Sequence, residues 1–460
     1  MALATEHQHA SDAHGAGFDA FRRYPLYEAI FRRRTRRVSK GIKKWEADSL
    51  SWHSDAESQP LTPLEQAVLI SVTGITGITM PDMPTRSEAG GRMLGSPMLE
   101  AAGRSSGSPD NAQATVFFML DDNGTYLLRK PTFALPPGTQ PGPDDLIRAA
   151  ESCKVRILDH RLDYPRTYPF YVGRNRFVSN LPGSTVFVPV IDMTRQYING
   201  LMYLLSQEDG VRPSFVDDWN FYRWAGCKKW VKNGFLNADL KLPLGMLGTW
   251  RIHIEADLLV QNLWLTIQAM GLGGWVHAAF PPPVLLGAPD VREKSGTGLG
   301  FEFATPRAGL RKLLKFITPV PAWQPNPVRL GNLLKAYCPP NFPDMAAAID
   351  ALVAEKYGPK GLYTTPDGFA PVFKPGLAQK FIDEVEHLRP EVIECAKDIC
   401  TYIHETYGRF PAHVDAFHVP GIWIQAHHLA LDYYDSIYVG GYSQTQAEHD
   451  RLWHGPPSQA

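Results

Sequence analysis

The chain has 460 residues, 44% hydrophobic and 20% charged, so it can bury a large core and is too apolar to be disordered as a whole. Lys plus Arg number 46 against 47 Asp plus Glu, a net charge of -1, which argues against a general polyanion binder but leaves room for a local basic patch. Five cysteines without a CxxC pair fit a reduced, cytosolic protein.

In chain order, residues 1–17 are polar and His-bearing, lack the apolar core of a secretory signal, and read as a mobile tail. From Phe18 to Lys44 the apolar Phe21, Tyr27, Ile30 and Phe31 stand among arginines, predicting a helix that runs into a basic turn. Thr62 as N-cap, Pro63 in the first turn and Glu65 three residues on predict a second helix, ending near Gly74. Gly74 to Asp110 is rich in Gly, Pro, Ser and Met and reads as a long functional loop. Ala114–Leu120 and Thr125–Arg129 bracket Asn123-Gly124 and predict a hairpin. Thr185–Ile191 reads as a strand, with Pro189 suggesting an edge or bulge, and a helix is expected over Arg195–Leu205.

Glu255–Met270 is apolar on nearly every side and predicts a buried helix closed by Gly271, followed by a strand over Gly274–Phe280. Leu258–Leu286 is the most apolar long stretch, but Gln261, Asn262 and Pro281 to Pro283 interrupt it, so no membrane span is expected. Past Pro325 the pattern predicts helices over Asp344–Tyr357, Leu377–Leu388 and Glu391–Tyr407. The expected fold is α+β, a mostly antiparallel sheet with helices on its faces. Its expected divisions are 1–17, a body over 18–325 and a helical extension over 326–460.

Two stretches carry candidate chemistry. Arg32-Arg33-Arg34-Thr35-Arg36-Arg37 gathers guanidinium groups and a hydroxyl at a helix end, a set that can hold phosphate or form an ordinary solvated basic face. Ser108, Asn111 and Gln113 precede a strand and can offer hydroxyl and amide groups to a heteroaromatic ring, or can simply shape a turn.

Together with Gln261-Asn262-Leu263-Trp264-Leu265 and Gly271-Leu272-Gly273-Gly274, these stretches resemble, in order, three motifs of the FMN-dependent nitroreductase superfamily. The resemblance covers Phe18 to Val320 and includes a long insertion before Ser108. It implies FMN as cofactor, with its phosphate gripped by Arg33, Arg34, Thr35 and Arg37. It also implies ring contacts from Ser108, Asn111 and Gln113, commonly of the partner subunit, and close backbone approach at Gly273 and Gly274. A homodimer, an NAD(P)H reductant and a small aromatic or conjugated substrate follow from the same likeness, with no role for nucleic acid or membrane. A long loop in this place, preceded by Thr73 to Gly77, looks more like the thiazoline-oxidising dehydrogenases, so a peptide or natural-product substrate is the alternative. A non-catalytic interaction protein on the same scaffold is another. No side chain stands out as an acid or base.

His404, His413, His418, His427, His428, His449 and His454 crowd the last 57 residues among large aromatics. No HExxH occurs and nothing in their spacing enforces convergence, so the tail is expected to pack against the body or its dimer mate and to bind no metal. Gly296 to Gly300 lacks the flanking strand and helix of a dinucleotide site and reads as a loop. The aromatic stripe Trp219 to Trp230 reads as packing before it reads as a lid.

Overall fold

The computed structural model describes residues 15–82, 97–130, 141–247, 252–278, 281–289, 298–305 and 324–455. Most of the expected tail, the middle of the long loop and the start of the Gly296 stretch lie outside them, as does the end of the expected 274–280 strand. The fold mixes helix and sheet around a seven-stranded antiparallel sheet.

Strand β1 (Thr115–Asp121) turns through Asp122 and Asn123 into β2 (Gly124–Leu128). The Asp121 carboxylate accepts from the backbone N–H groups of Asn123 (2.8 Å) and Gly124 (3.1 Å), fixing the hairpin turn. β3 (Lys154–Leu158) lies outside β2, and β4 (Thr185–Asp192) lies on the other side of β1. Beyond β4 come β5 (Gly273–His277), β6 (Phe417–His418) and β7 (Trp423–His427), in the spatial order β5-β7-β4-β1-β2-β3, with β6 also paired to β4. Pro189 is therefore not on an edge strand. On the β6/β7 side it falls between Phe187↔Ile424 and Ile191↔His418, where no ladder residue stands opposite.

Because strand side chains alternate, the sheet has two apolar faces. Phe117, Met119, Phe187 and Ile424 face one core, with α2 (Pro63–Ser71), α3 (Pro143–Cys153) and α5 (Ile252–Met270). Phe118, Leu120, Val186 and Val188 face the other, with α4 (Met193–Leu205), α6 (Met345–Tyr357) and α7 (Pro390–Tyr407). Each fully buried side chain of this kind contributes about 1.5–3 kcal/mol. The expected capping box at Thr62 and Glu65 is formed, and Asp344 caps α6. Gly271, at φ +85°, closes α5 where a Cβ would sit 2.4 Å from the Thr445 carbonyl oxygen.

Two expectations need correction. Residues past 325 are not a purely helical extension, since β7 pairs with β5 and β4 inside the central sheet. Trp423, Ile424 and Ala426 are wholly buried there, and the run is too short to carry a helical period. The long loop is likewise partly a ladder, pairing Ile75–Ile78 with Ala102–Arg104. Among the described residues no helix is long and apolar enough to cross a membrane.

Candidate functional site

The basic run follows helix α1 (Leu26–Arg32) as an extended segment beside the sheet edge. Its backbone is held on both sides of Ser39: Arg36 N–H donates to the Gly274 carbonyl (3.2 Å), Lys40 N–H to that of His428 (2.9 Å), and Val38 C=O accepts from Ala430 (3.2 Å). Extended backbone alternates its side chains, so Arg36 and Val38 turn inward while Thr35 and Arg37 face solvent.

Arg36, the position the phosphate motif leaves open, is the buried member of the run. Its Nε donates to the Gly441 carbonyl at 2.8 Å, and its Nη1 is buried without a partner. Burial lowers its pKa, yet a guanidinium stays charged in proteins. Arg37 lies over Trp275 with its guanidinium carbon 5.2 Å from the ring centroid, and Arg33 lies over Trp264 at 3.9 Å. Arg34 turns back and donates to the carbonyls of Phe31 (2.9 Å) and Arg33 (2.8 Å), covering the open end of α1.

Arg34, Thr35, Arg36 and Arg37 line a cavity of about 1170 Å³, joined by Lys44 and Arg174, with Trp45, Phe177, Tyr433 and Tyr438 as its aromatic walls. Arg33 does not line it. A phosphate-bearing flavin needs cations beside a π-rich surface, and this cavity supplies both, with the exposed Arg34 and Arg37 free of the carboxylate, Glu46, that pairs with Lys44. The residues therefore fit the phosphate end of the FMN that the resemblance implies.

Gly273 and Gly274 adjoin this segment but do not line the cavity. A Cβ on Gly273 would meet Leu429 at 2.4 Å and His427 Nε2 at 2.8 Å, and one on Gly274 would meet the Gln425 carbonyl oxygen at 2.8 Å. Close packing of the sheet edge accounts for both glycines. Behind that edge, His277 stacks on Trp275 with centroids 4.0 Å apart and accepts from Trp423 Nε1 at 2.9 Å. Burial, helped by Arg37, holds its pKa down to about 3, so the ring is neutral.

Ser108, Asn111 and Gln113 do not line that cavity and are bonded mainly to their own loop. Ser108 Oγ donates to Glu255 Oε2 (2.6 Å) and accepts from the Gln113 N–H (3.0 Å). Asn111 Nδ2 donates to the carbonyls of Ala102 (2.9 Å) and Glu100 and to Thr79 Oγ1 (3.1 Å). Gln113 Nε2 donates to Asn111 Oδ1 (2.6 Å), which leaves Gln113 Oε1 buried and unpartnered. Asp110, Asn111 and Gln113 have φ of 51°, 47° and 50°, costly for residues with a Cβ. Glu255 organises the loop: besides Ser108 it accepts from Arg104 Nη1 (3.1 Å) and the Thr115 N–H (2.8 Å).

The basic run and the Ser108 loop thus meet different parts of α5, at Trp264 and at Glu255, and the cavity at the basic run does not reach the loop. Arg174 and the Tyr433–Gly441 wall escaped sequence reasoning because they reach the cavity only through tertiary folding. Arg36 was missed because the run was expected to be a basic turn, and only its extended backbone places Arg36 opposite Thr35 and Arg37.

No protein-family model matches the chain, and no curated protein matches it. Among solved structures it is similar to a protein from Ralstonia eutropha JMP134 provisionally named a nitroreductase, at TM-score 0.27 and 13% identity, over 60% of this chain and 76% of that one. Function resides in the site and not in the fold.

Proposed function

We propose that the protein is an FMN-dependent oxidoreductase of the nitroreductase type, passing hydride to or from a small conjugated substrate. The observation that carries this reading is the cavity at Arg34 to Arg37, where cations adjoin Trp45, Phe177, Tyr433 and Tyr438. Bound flavin would supply the hydride chemistry, while the protein sets its position and surroundings. Arg34, Arg36 and Arg37 would neutralise phosphate and Thr35 would donate a hydroxyl bond, while the aromatic wall would offer the ring a stacking surface.

The reading includes a homodimer. On α1, Leu26 and Tyr27 are each 66% exposed and Phe31 59%, and on the adjoining α5 Ile254 is 51% exposed. Such an apolar face is what a second copy would cover. The Ser108 loop borders it, because Gly107 approaches Leu258.

Absorbance of the purified protein, FMN titration and reduction by NADH or NADPH test the proposal. Stoichiometric FMN bleached by a nicotinamide supports it. Failure to take up FMN would remove it, and flavin that no nicotinamide reduces would favour the oxidising, thiazoline-type direction.

A further inference from the structure

Folding brings together four groups that lie far apart in the chain. Glu65 on α2, His428 just after β7, and His449 and His454 in and after the short C-terminal helix α8 (His449–Trp453) place their ligand atoms within 4.8 Å of one another. Glu65 and His428 are buried, as is His449. His449 Nε2 lies 2.8 Å and His454 Nε2 3.3 Å from Glu65 Oε1, and His428 Nε2 lies 3.7 Å from Glu65 Oε2. Ligands about 2.0–2.2 Å from one tetrahedral ion stand about 3.3–3.6 Å apart, so small side-chain shifts would close the set.

Three hydrogen-bond facts point to an ion. His449 Nδ1 lies 2.8 Å from the Met270 carbonyl oxygen, which only accepts, so Nδ1 must carry a proton. Nε2 then faces Glu65 Oε1 at 2.8 Å, a contact that either a proton on Nε2 or a cation drawn between the two atoms satisfies. A backbone carbonyl fixing the far nitrogen in this way is the usual support of a metal-bound histidine. Both ring nitrogens of His428 are buried without a hydrogen-bond partner, Nε2 lying 3.7 Å from Glu65 Oε2. An unmade bond at a buried polar atom costs about 1–3 kcal/mol. Glu65, finally, divides its oxygens: Oε2 accepts the Thr62 N–H at 2.6 Å in the capping box, while Oε1 faces His449 and His454.

We propose that Glu65, His428, His449 and His454 bind one divalent zinc ion in a closed, four-ligand site that fastens the C-terminal segment to the start of α2. Three imidazoles and one carboxylate suit zinc, and four protein ligands leave no open position, as in structural sites. Glu65 Oε1, His449 Nε2, His454 Nε2 and a ring nitrogen of His428 are the ligand atoms. The site is separate from the proposed flavin cavity and stands whether or not flavin binds.

The test uses full-length protein without a histidine tag. Elemental analysis after desalting should give one zinc per chain, lost in His449→Ala and weakened at least about tenfold in His454→Ala, which removes the most exposed ligand. Chelation should lower the thermal midpoint of the wild type and zinc should restore it. Since a variant could misfold, chelator-treated wild type is also titrated with Co2+. One equivalent should raise the intense visible bands of a four-coordinate centre, and zinc should abolish them. A protein that purifies without metal and binds neither Co2+ nor Zn2+ overturns the proposal, as does full zinc in folded His449→Ala. In either case the cluster would be a proton-sharing Glu-His network.

Discussion

The Arg36 guanidinium donates to the carbonyl oxygen of Gly441, 405 positions away, at 2.8 Å. That bond joins the basic segment to the C-terminal wall of the cavity, beside the backbone bonds of Lys40 to His428 and of Ala430 to Val38. A charged bond of this kind contributes about 1.5–3 kcal/mol. Arg36→Ala should lower stability by about that amount in urea unfolding and also weaken FMN binding. Unchanged stability would mean that the bond is idle.

Arg34 and Arg37 are exposed, so their replacement should read out differently. Arg34→Ala with Arg37→Ala should leave stability within about 0.5 kcal/mol of wild type. FMN affinity should fall about tenfold or more for each guanidinium removed from the phosphate. Titration followed by flavin fluorescence measures this, and wild-type affinity in the double variant would place the phosphate elsewhere.

Glu255 and Arg104 form a buried ion pair at 3.1 Å, and Glu255 also anchors Ser108 and the start of β1. Removing one partner leaves a buried charge uncompensated, at a cost of about 3–5 kcal/mol. Glu255→Ala should therefore unfold at much lower urea and expose the 104–114 segment to proteolysis. A drop in stability under about 1 kcal/mol would show that water or another residue replaces the carboxylate.

His277 gives a pH signature. Burial pushes its pKa from 6.5 in the unfolded chain to about 3 in the folded one, so between those values the unfolded chain binds the extra proton. Stability from this group is complete above pH 6.5 and falls as pH drops towards 3, by up to about 1.4 kcal/mol per pH unit. Urea midpoints at pH 7.5 and 5.0 should separate more for wild type than for His277→Gln. Equal separation would indicate that the ring is hydrated and titrates normally.

Much of the fold was legible because local signals and tertiary packing agree. Thr62 with Glu65 announced α2, Asn123-Gly124 announced the hairpin, and Gly271 announced the end of α5. β7 was hidden because five residues buried on both faces show no distinguishing period. In the candidate site, the basic run was readable but was expected as a turn at a helix end, so the inward Arg36 of its extended backbone was not. The Tyr433–Gly441 wall and the Glu65–His cluster were not readable, since neighbours in space that stand hundreds of residues apart in the chain leave no local pattern.

The central claim is that the Arg34–Arg37 cavity holds FMN, and the visible absorption spectrum of protein purified without added cofactor tests it most directly. The account predicts a yellow protein whose flavin is released on denaturation as FMN, one per chain, and whose colour is lost in the Arg34→Ala, Arg37→Ala double variant. A colourless protein that stays colourless after incubation with FMN and desalting would contradict it.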